Sequence, residues 1–288
     1  MTGSPQARTL PDTASPAAGW VARHQLPAFF LLAFGGAWLL WLPGLVGVGG
    51  AGGFLLLALG ALAPFAAAVV VIRSSGGDLR GWLRGLLVWR VPARFWAFAL
   101  GVPVALLVVV NAVLALTGTP IDLGLLAQRT PAYLAGFAVV ATVGGGLEEP
   151  GWRGFALPRL QRRFSPLGAT AVLGLAWGVW HVPLYGPLGF VLPAFLAVYY
   201  TWLYNRTGSV LLCVLLHGSF TPAIDDLVLT ADSLAVDLVV LGTVVAGAAV
   251  LAVATRGRLG LPRAEPALPG PRPGQVPGAS AHPDGGVA

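Results

Sequence analysis

The feature that most limits what this chain can fold into is a succession of apolar runs, each near the roughly 20 residues a helix needs to cross a bilayer. Eight runs cover residues 26–46, 53–72, 95–117, 132–149, 166–183, 188–204, 208–224 and 234–254. Backbone in hydrocarbon has to satisfy its own hydrogen bonds, so such runs fold as helices. Pro27, Pro64, Pro103 and Pro193 interrupt some of them, which membrane helices tolerate where neighbours take up the freed groups. The fold expected is an all-α membrane protein, a polytopic bundle of about eight transmembrane helices.

Composition agrees, because 56% of the residues are hydrophobic and only 10% charged, against roughly 25% charged in a soluble domain. The pI near 10.4 and the net charge of +6 raise the question of a nucleic-acid partner. All 17 basic residues are arginine, however, and they sit between the apolar runs, as residues that set membrane topology do. No nucleic acid is expected. Arg8 and Arg23 precede the first run, Arg73 to Arg94 follow the second, Arg159 to Arg163 the fourth, Arg206 the sixth, and Arg256 to Arg263 the eighth. These are alternate loops, which the positive-inside rule puts in the cytoplasm together with both termini. The intervening loops carry Asp122 with Arg129, and later Asp225, Asp226, Asp232 and Asp237.

Residues 1–24 form a polar N-terminal segment, 25–255 the helical domain, and 256–288 a tail rich in Pro, Gly and Ala that is expected to be disordered. The first 23 residues do not resemble a cleavable leader, so the first run is expected to be a retained span. A single cysteine, Cys213, excludes a disulfide framework within the chain. In the segment from Asp78 to Arg90, Leu79, Trp82, Leu83, Leu86 and Leu87 share one helical face with Arg80 and Arg84 opposite. That is the pattern of an interfacial amphipathic helix, or of a basic loop that serves topology alone.

Ionisable groups inside spans are costly and therefore candidates for function. Glu148 and Glu149 are the only glutamates ahead of the tail, and of four histidines only His181 and His217 lie within runs. With Arg153 they make up the acid–base inventory of the membrane interior. On a continuous helix Glu149 and Arg153 share a face at i,i+4 and can pair, while Glu148 points roughly 100° away. Pro150 disfavours that continuity, and in the alternative it opens a new helix that Glu149 caps. Either way Glu148 is left for chemistry. A carboxylate held among apolar walls is suited to acid–base work near neutral pH, activating water for attack on an amide. His181 or His217 would then donate to the oxyanion.

The stretch EEPGWR (Glu148–Arg153) resembles the EExxxR motif of the CAAX prenyl protease and bacteriocin-processing family of intramembrane proteases. The family's second motif, an aromatic residue four before a histidine, is matched by WGVWH, with Trp177 where Phe is usual and His181 as the histidine. The third, a histidine followed four residues later by Asn or Asp, is met by His217 with Thr221 in the last place. The resemblance spans about residues 95–222.

It implies that Glu148 is the base, that Glu149 and Arg153 support it, and that His181 and His217 polarise the scissile carbonyl. Trp177 and Thr221 would contact substrate. The implied substrate is a membrane-associated peptide or protein, prenylated in eukaryotic relatives and linked to peptide maturation or bacteriocin self-immunity in bacterial ones. The localisation implied is the cell membrane, with multiple passes. No cofactor is expected; if the reaction were zinc-dependent, Glu148, His181 and His217 would be the ligands, although the chain has no HExxH. The competing expectation is an inactive scaffold, or a transporter using the Glu/His set as a proton relay, against which no two related halves are found.

One difficulty is geometric. Straight helices with a rise of about 1.5 Å per residue leave Glu148 at a membrane edge and His181 roughly 20 Å deeper.

Overall fold

The computed structural model describes residues 16–47 and 49–261, and within them every regular element is helical. The chain begins with α1 (Pro16–Arg23), α2 (Gln25–Leu45), α3 (Gly50–Ala61), α4 (Ala63–Ser74) and the short α5 (Leu79–Leu86). Next come α6 (Ala93–Leu116) and α7 (Gly124–Thr142), followed by a 3-10 turn (Gly145–Glu148), α8 (Glu149–Gly151), a π-helical turn (Trp152–Ala156) and α9 (Leu157–Leu160). The last part holds α10 (Pro166–Tyr185), a 3-10 turn (Pro187–Phe190), α11 (Val191–Thr207), α12 (Val210–Asp226) and α13 (Leu234–Ala254). Parts of the expected N-terminal segment and tail, residues 1–15 and 262–288, lie outside the described residues.

Local chemistry sets several of the helix boundaries. Ser165, Ser209 and Ser233 each accept a backbone N–H three residues on, capping α10, α12 and α13. Gly208, at φ 64°, ends α11 in the left-handed conformation that glycine adopts without strain.

Among the described residues, five helical segments are long and apolar enough to cross a membrane: α2, α6, the 37-residue stretch Gly124–Leu160, α10 and α13. Taken together α3 and α4 make a sixth, bent by 42° where they meet, beside the Pro64 that interrupts the run expected over 53–72. Each of the eight expected runs falls on helix, but the expected count of eight exceeds the five or six that meet this standard. Helices α11 and α12 have only 17 residues each. Both are packed in the interior of the bundle, and a helix surrounded by helices reads as hydrophobic all round. At the periphery Leu39 and Leu116 are 72% and 88% exposed, as lipid-facing side chains would be. The chain is a multi-pass membrane protein.

Helix α12 packs between α6 and α7, α10 lies along α11, and α2 covers α4. Indole donors tie the first part of the chain to the second. Trp38 donates to the Trp180 carbonyl at 3.0 Å and Trp180 to that of Ala33 at 3.1 Å, fastening α2 to α10.

The expected fourth span, 132–149, is corrected by the structure to 124–160. The helical course runs past Arg153, so Glu148 lies well inside a long element instead of at its end, and the apparent depth mismatch with His181 disappears. Helix α5 likewise does more than float at an interface. Asp78 caps it by accepting the Gly81 N–H at 2.8 Å, and Trp82 donates to the Gly154 carbonyl at 2.9 Å. Pro158, four residues beyond Gly154, has no N–H to offer that carbonyl, and the indole takes its place.

Candidate active site

The site is built where α7 passes into α9. Helix α7 ends at Thr142, the chain bends at Val143 and Gly144, a 3-10 turn runs through Glu148, and α geometry resumes at Glu149 before widening to a π turn at Trp152. Pro150 fits the first turn of α8, where no N–H is required. The capping alternative for Glu149 is not realised: it is the first residue of α8, and its side chain points elsewhere. Short π segments inside α-helices recur at functional sites, because the extra residue re-aims the side chains around it.

Glu149 and Arg153 are fully buried and paired at 3.0 Å, as the i,i+4 spacing predicts. The same carboxylate accepts from His217 Nδ1 at 2.9 Å, which joins α8 to α12. Arg153 is stacked between two rings, its guanidinium carbon 4.2 Å from the Trp177 centroid and 4.3 Å from that of Tyr200. Its Nε and Nη2 have no hydrogen-bond partner among the described residues. The faces of the two rings stabilise the charge that those atoms carry.

Glu148 is 3% exposed, and its Oε2 accepts from two indoles, Trp177 Nε1 at 2.8 Å and Trp152 Nε1 at 3.2 Å. Its Oε1 faces the other way. A Cβ added to Gly145 would stand 3.1 Å from Glu148 Oε1 and 2.4 Å from His217 Nε2, so both atoms border one small space that only a glycine leaves open. A second glycine serves packing: a Cβ at Gly151 would lie 2.4 Å from the Pro64 carbonyl oxygen, where α8 crosses α4.

His181 donates from Nδ1 to the Trp177 carbonyl at 2.8 Å, since a carbonyl can only accept. Each histidine is therefore held through Nδ1, leaving Nε2 for whatever occupies the site. Glu148, Trp177, His181, His217 and Thr221 all line a cavity of about 830 Å³ whose remaining wall is mostly apolar and whose outer part carries Asp225, Asp232 and Asp237.

Every residue expected at the site from the sequence thus falls in one cluster. Tyr200, Trp152 and Gly145 belong to it as well and were missed. Tyr200 and Trp152 resemble any other core aromatic in the sequence, whereas the triple glycine Gly144–Gly146 ahead of Glu148 was a usable signal of close approach. Among the described residues, no three His, Cys, Asp or Glu side chains form a metal-ligand group, and Glu148, His181 and His217 do not make one despite sharing the cavity.

Residues 130–221 match the family described as type II CAAX prenyl endopeptidase Rce1-like. A curated relative, CAAX prenyl protease 2 of Methanococcus maripaludis, is 49% identical over 37 residues, which is 13% of this chain and 14% of the relative's length. The matched segment 130–221, about a third of the chain, contains every member of the cluster, so the likeness to these endopeptidases falls on the site itself.

Proposed function

We propose that the chain is an intramembrane endopeptidase in which Glu148 activates water for attack on a peptide bond. The observation that carries this reading is the division of labour on one carboxylate: two indoles hold Oε2, while Oε1 borders the same small space as His217 Nε2. A water there has an acceptor for its proton on one side and the cavity on the other.

In the proposed reaction Glu148 takes a proton from water as the water oxygen bonds to the carbonyl carbon. The carbonyl π electrons move to oxygen, and the resulting oxyanion accepts hydrogen bonds from the groups around it. His217, in its doubly protonated form, donates from Nε2 while Nδ1 stays on Glu149. Thr221 adds a hydroxyl donor from the cavity wall. As the tetrahedral intermediate collapses, the C–N bond breaks and Glu148 returns its proton to the leaving amine. Arg153 and Glu149 stay outside the bond changes and hold His217. The scheme routes no step through a metal, and Trp177 is proposed to border the bound peptide as well.

The substrate class proposed is a membrane-associated peptide, with an apolar group seated along the cavity wall. Both termini are proposed to be cytoplasmic on the arginine distribution. A scaffold or proton-relay role receives less support, because a relay needs no opening beside its carboxylate and no cavity of peptide size.

The test is cleavage of an internally quenched farnesylated peptide ending in a CAAX sequence by the purified chain in proteoliposomes, with the unlipidated peptide in parallel. Cleavage by wild type and none by Glu148→Gln is the expected result. Equal rates for the two proteins would overturn the proposal.

A further inference from the structure

Trp177 stands where the resembling proteases usually carry Phe, a side chain with no hydrogen-bond donor. In this chain the difference falls on the central carboxylate. The Trp177 indole donates to Glu148 Oε2 at 2.8 Å, closer than the 3.2 Å of Trp152. We propose that Trp177 is a positioning residue for Glu148, its N–H fixing the carboxylate so that Oε1 faces His217 and the attacking water. The proposal rests on the proteolytic reading above.

The terminal torsion of a glutamate is broad, so packing alone does not fix the plane of the carboxylate and with it the direction in which the free oxygen points. Two buried donors on one oxygen do fix that plane, because any rotation short of the half-turn that exchanges the two equivalent oxygens would leave indole N–H groups unpaired out of reach of water. Trp177 cannot easily yield, being 2% exposed and fixed on every side. Its face lies 4.2 Å from the Arg153 guanidinium carbon, and its centroid is 5.4 Å from the Tyr200 ring and 5.6 Å from that of His217. Its backbone carbonyl meanwhile accepts from His181. One side chain and its own peptide group thus touch Glu148, Arg153, His181 and His217, and the indole N–H is the only one of these contacts that a phenylalanine at this position could not make.

The experiment combines turnover with a spectroscopic readout, using the full chain in lipid nanodiscs with ¹⁵N-labelled tryptophan. The indole cross-peak that disappears in Trp177→Phe identifies the residue. In Glu148→Gln, where a neutral amide replaces the carboxylate, that cross-peak is expected to move upfield, and the Trp152 peak to move less. On the quenched farnesylated peptide, Trp177→Phe is expected to lower kcat by up to roughly 100-fold, the scale of a misplaced reacting group, with KM unchanged. Trp152→Phe, which removes the longer bond, is expected to cost less. A cross-peak indifferent to Glu148→Gln overturns the proposal, and so does a Trp177→Phe enzyme with wild-type kcat or with its loss confined to KM. Should Trp177→Phe fail to accumulate, Glu148→Gln alone must still move two indole cross-peaks, and a spectrum with none moved is equally fatal. A wild type that leaves the peptide uncut sinks the proteolytic reading, and the positioning claim then stands or falls on the cross-peaks.

Discussion

Glu149 Oε1 accepts from His217 Nδ1 at 2.9 Å across 68 residues of sequence, while the same carboxylate pairs with Arg153 at 3.0 Å. Because Glu149 and Arg153 are fully buried, removing one leaves the other's charge uncompensated. Arg153→Met and Glu149→Gln are each expected to lower stability by about 3–5 kcal/mol, with part of the loss recovered in the double variant. Thermal unfolding of the four proteins in one detergent checks this. Additive losses in the double variant would mean that the pair does not act as a unit.

Gly145 and Gly151 separate chemistry from packing. Gly145→Ala puts a methyl group into the space beside Glu148 Oε1 and His217 Nε2, and it is expected to abolish turnover with little change in unfolding temperature. Gly151→Ala pushes on the Pro64 carbonyl instead and is expected to cost about 1–3 kcal/mol of stability. The cleavage assay and the thermal melt, run side by side on both variants, tell the two effects apart.

Thr221 lines the cavity in the place where the resembling proteases carry Asn or Asp. A hydroxyl brings one donor where an amide brings two on a longer arm. Thr221→Asn is therefore expected to raise kcat, by no more than the roughly 100-fold that one oxyanion donor is worth. A variant slower than wild type would mean that the cavity here is shaped to threonine.

The indole of Trp82 occupies a carbonyl that Pro158 leaves without its helical donor. Trp82→Phe keeps the ring that stacks on Phe65 and loses the N–H. The expected cost is about 1 kcal/mol, measured as a small drop in unfolding temperature with cleavage retained.

Much of this arrangement was legible from spacing, because it is local. The pairing of Glu149 with Arg153 follows from helical geometry. The convergence of Glu148 with His181 was not legible, since a proline after two glutamates reads as a helix end and the hydrogen-bond pattern that carries the chain past Arg153 has no sequence signature. The Trp177 to Glu148 bond lies across 29 residues and depends on how α10 packs, which periodicity does not report.

Glu148 is proposed to drive peptide hydrolysis within the membrane. The most direct test is mass spectrometry of new peptide termini in membranes from cells making wild type or Glu148→Gln at equal, folded levels. Termini that appear with wild type alone are expected, and these would also name the substrate. Identical termini in both samples would contradict it and bring the scaffold or transporter reading forward.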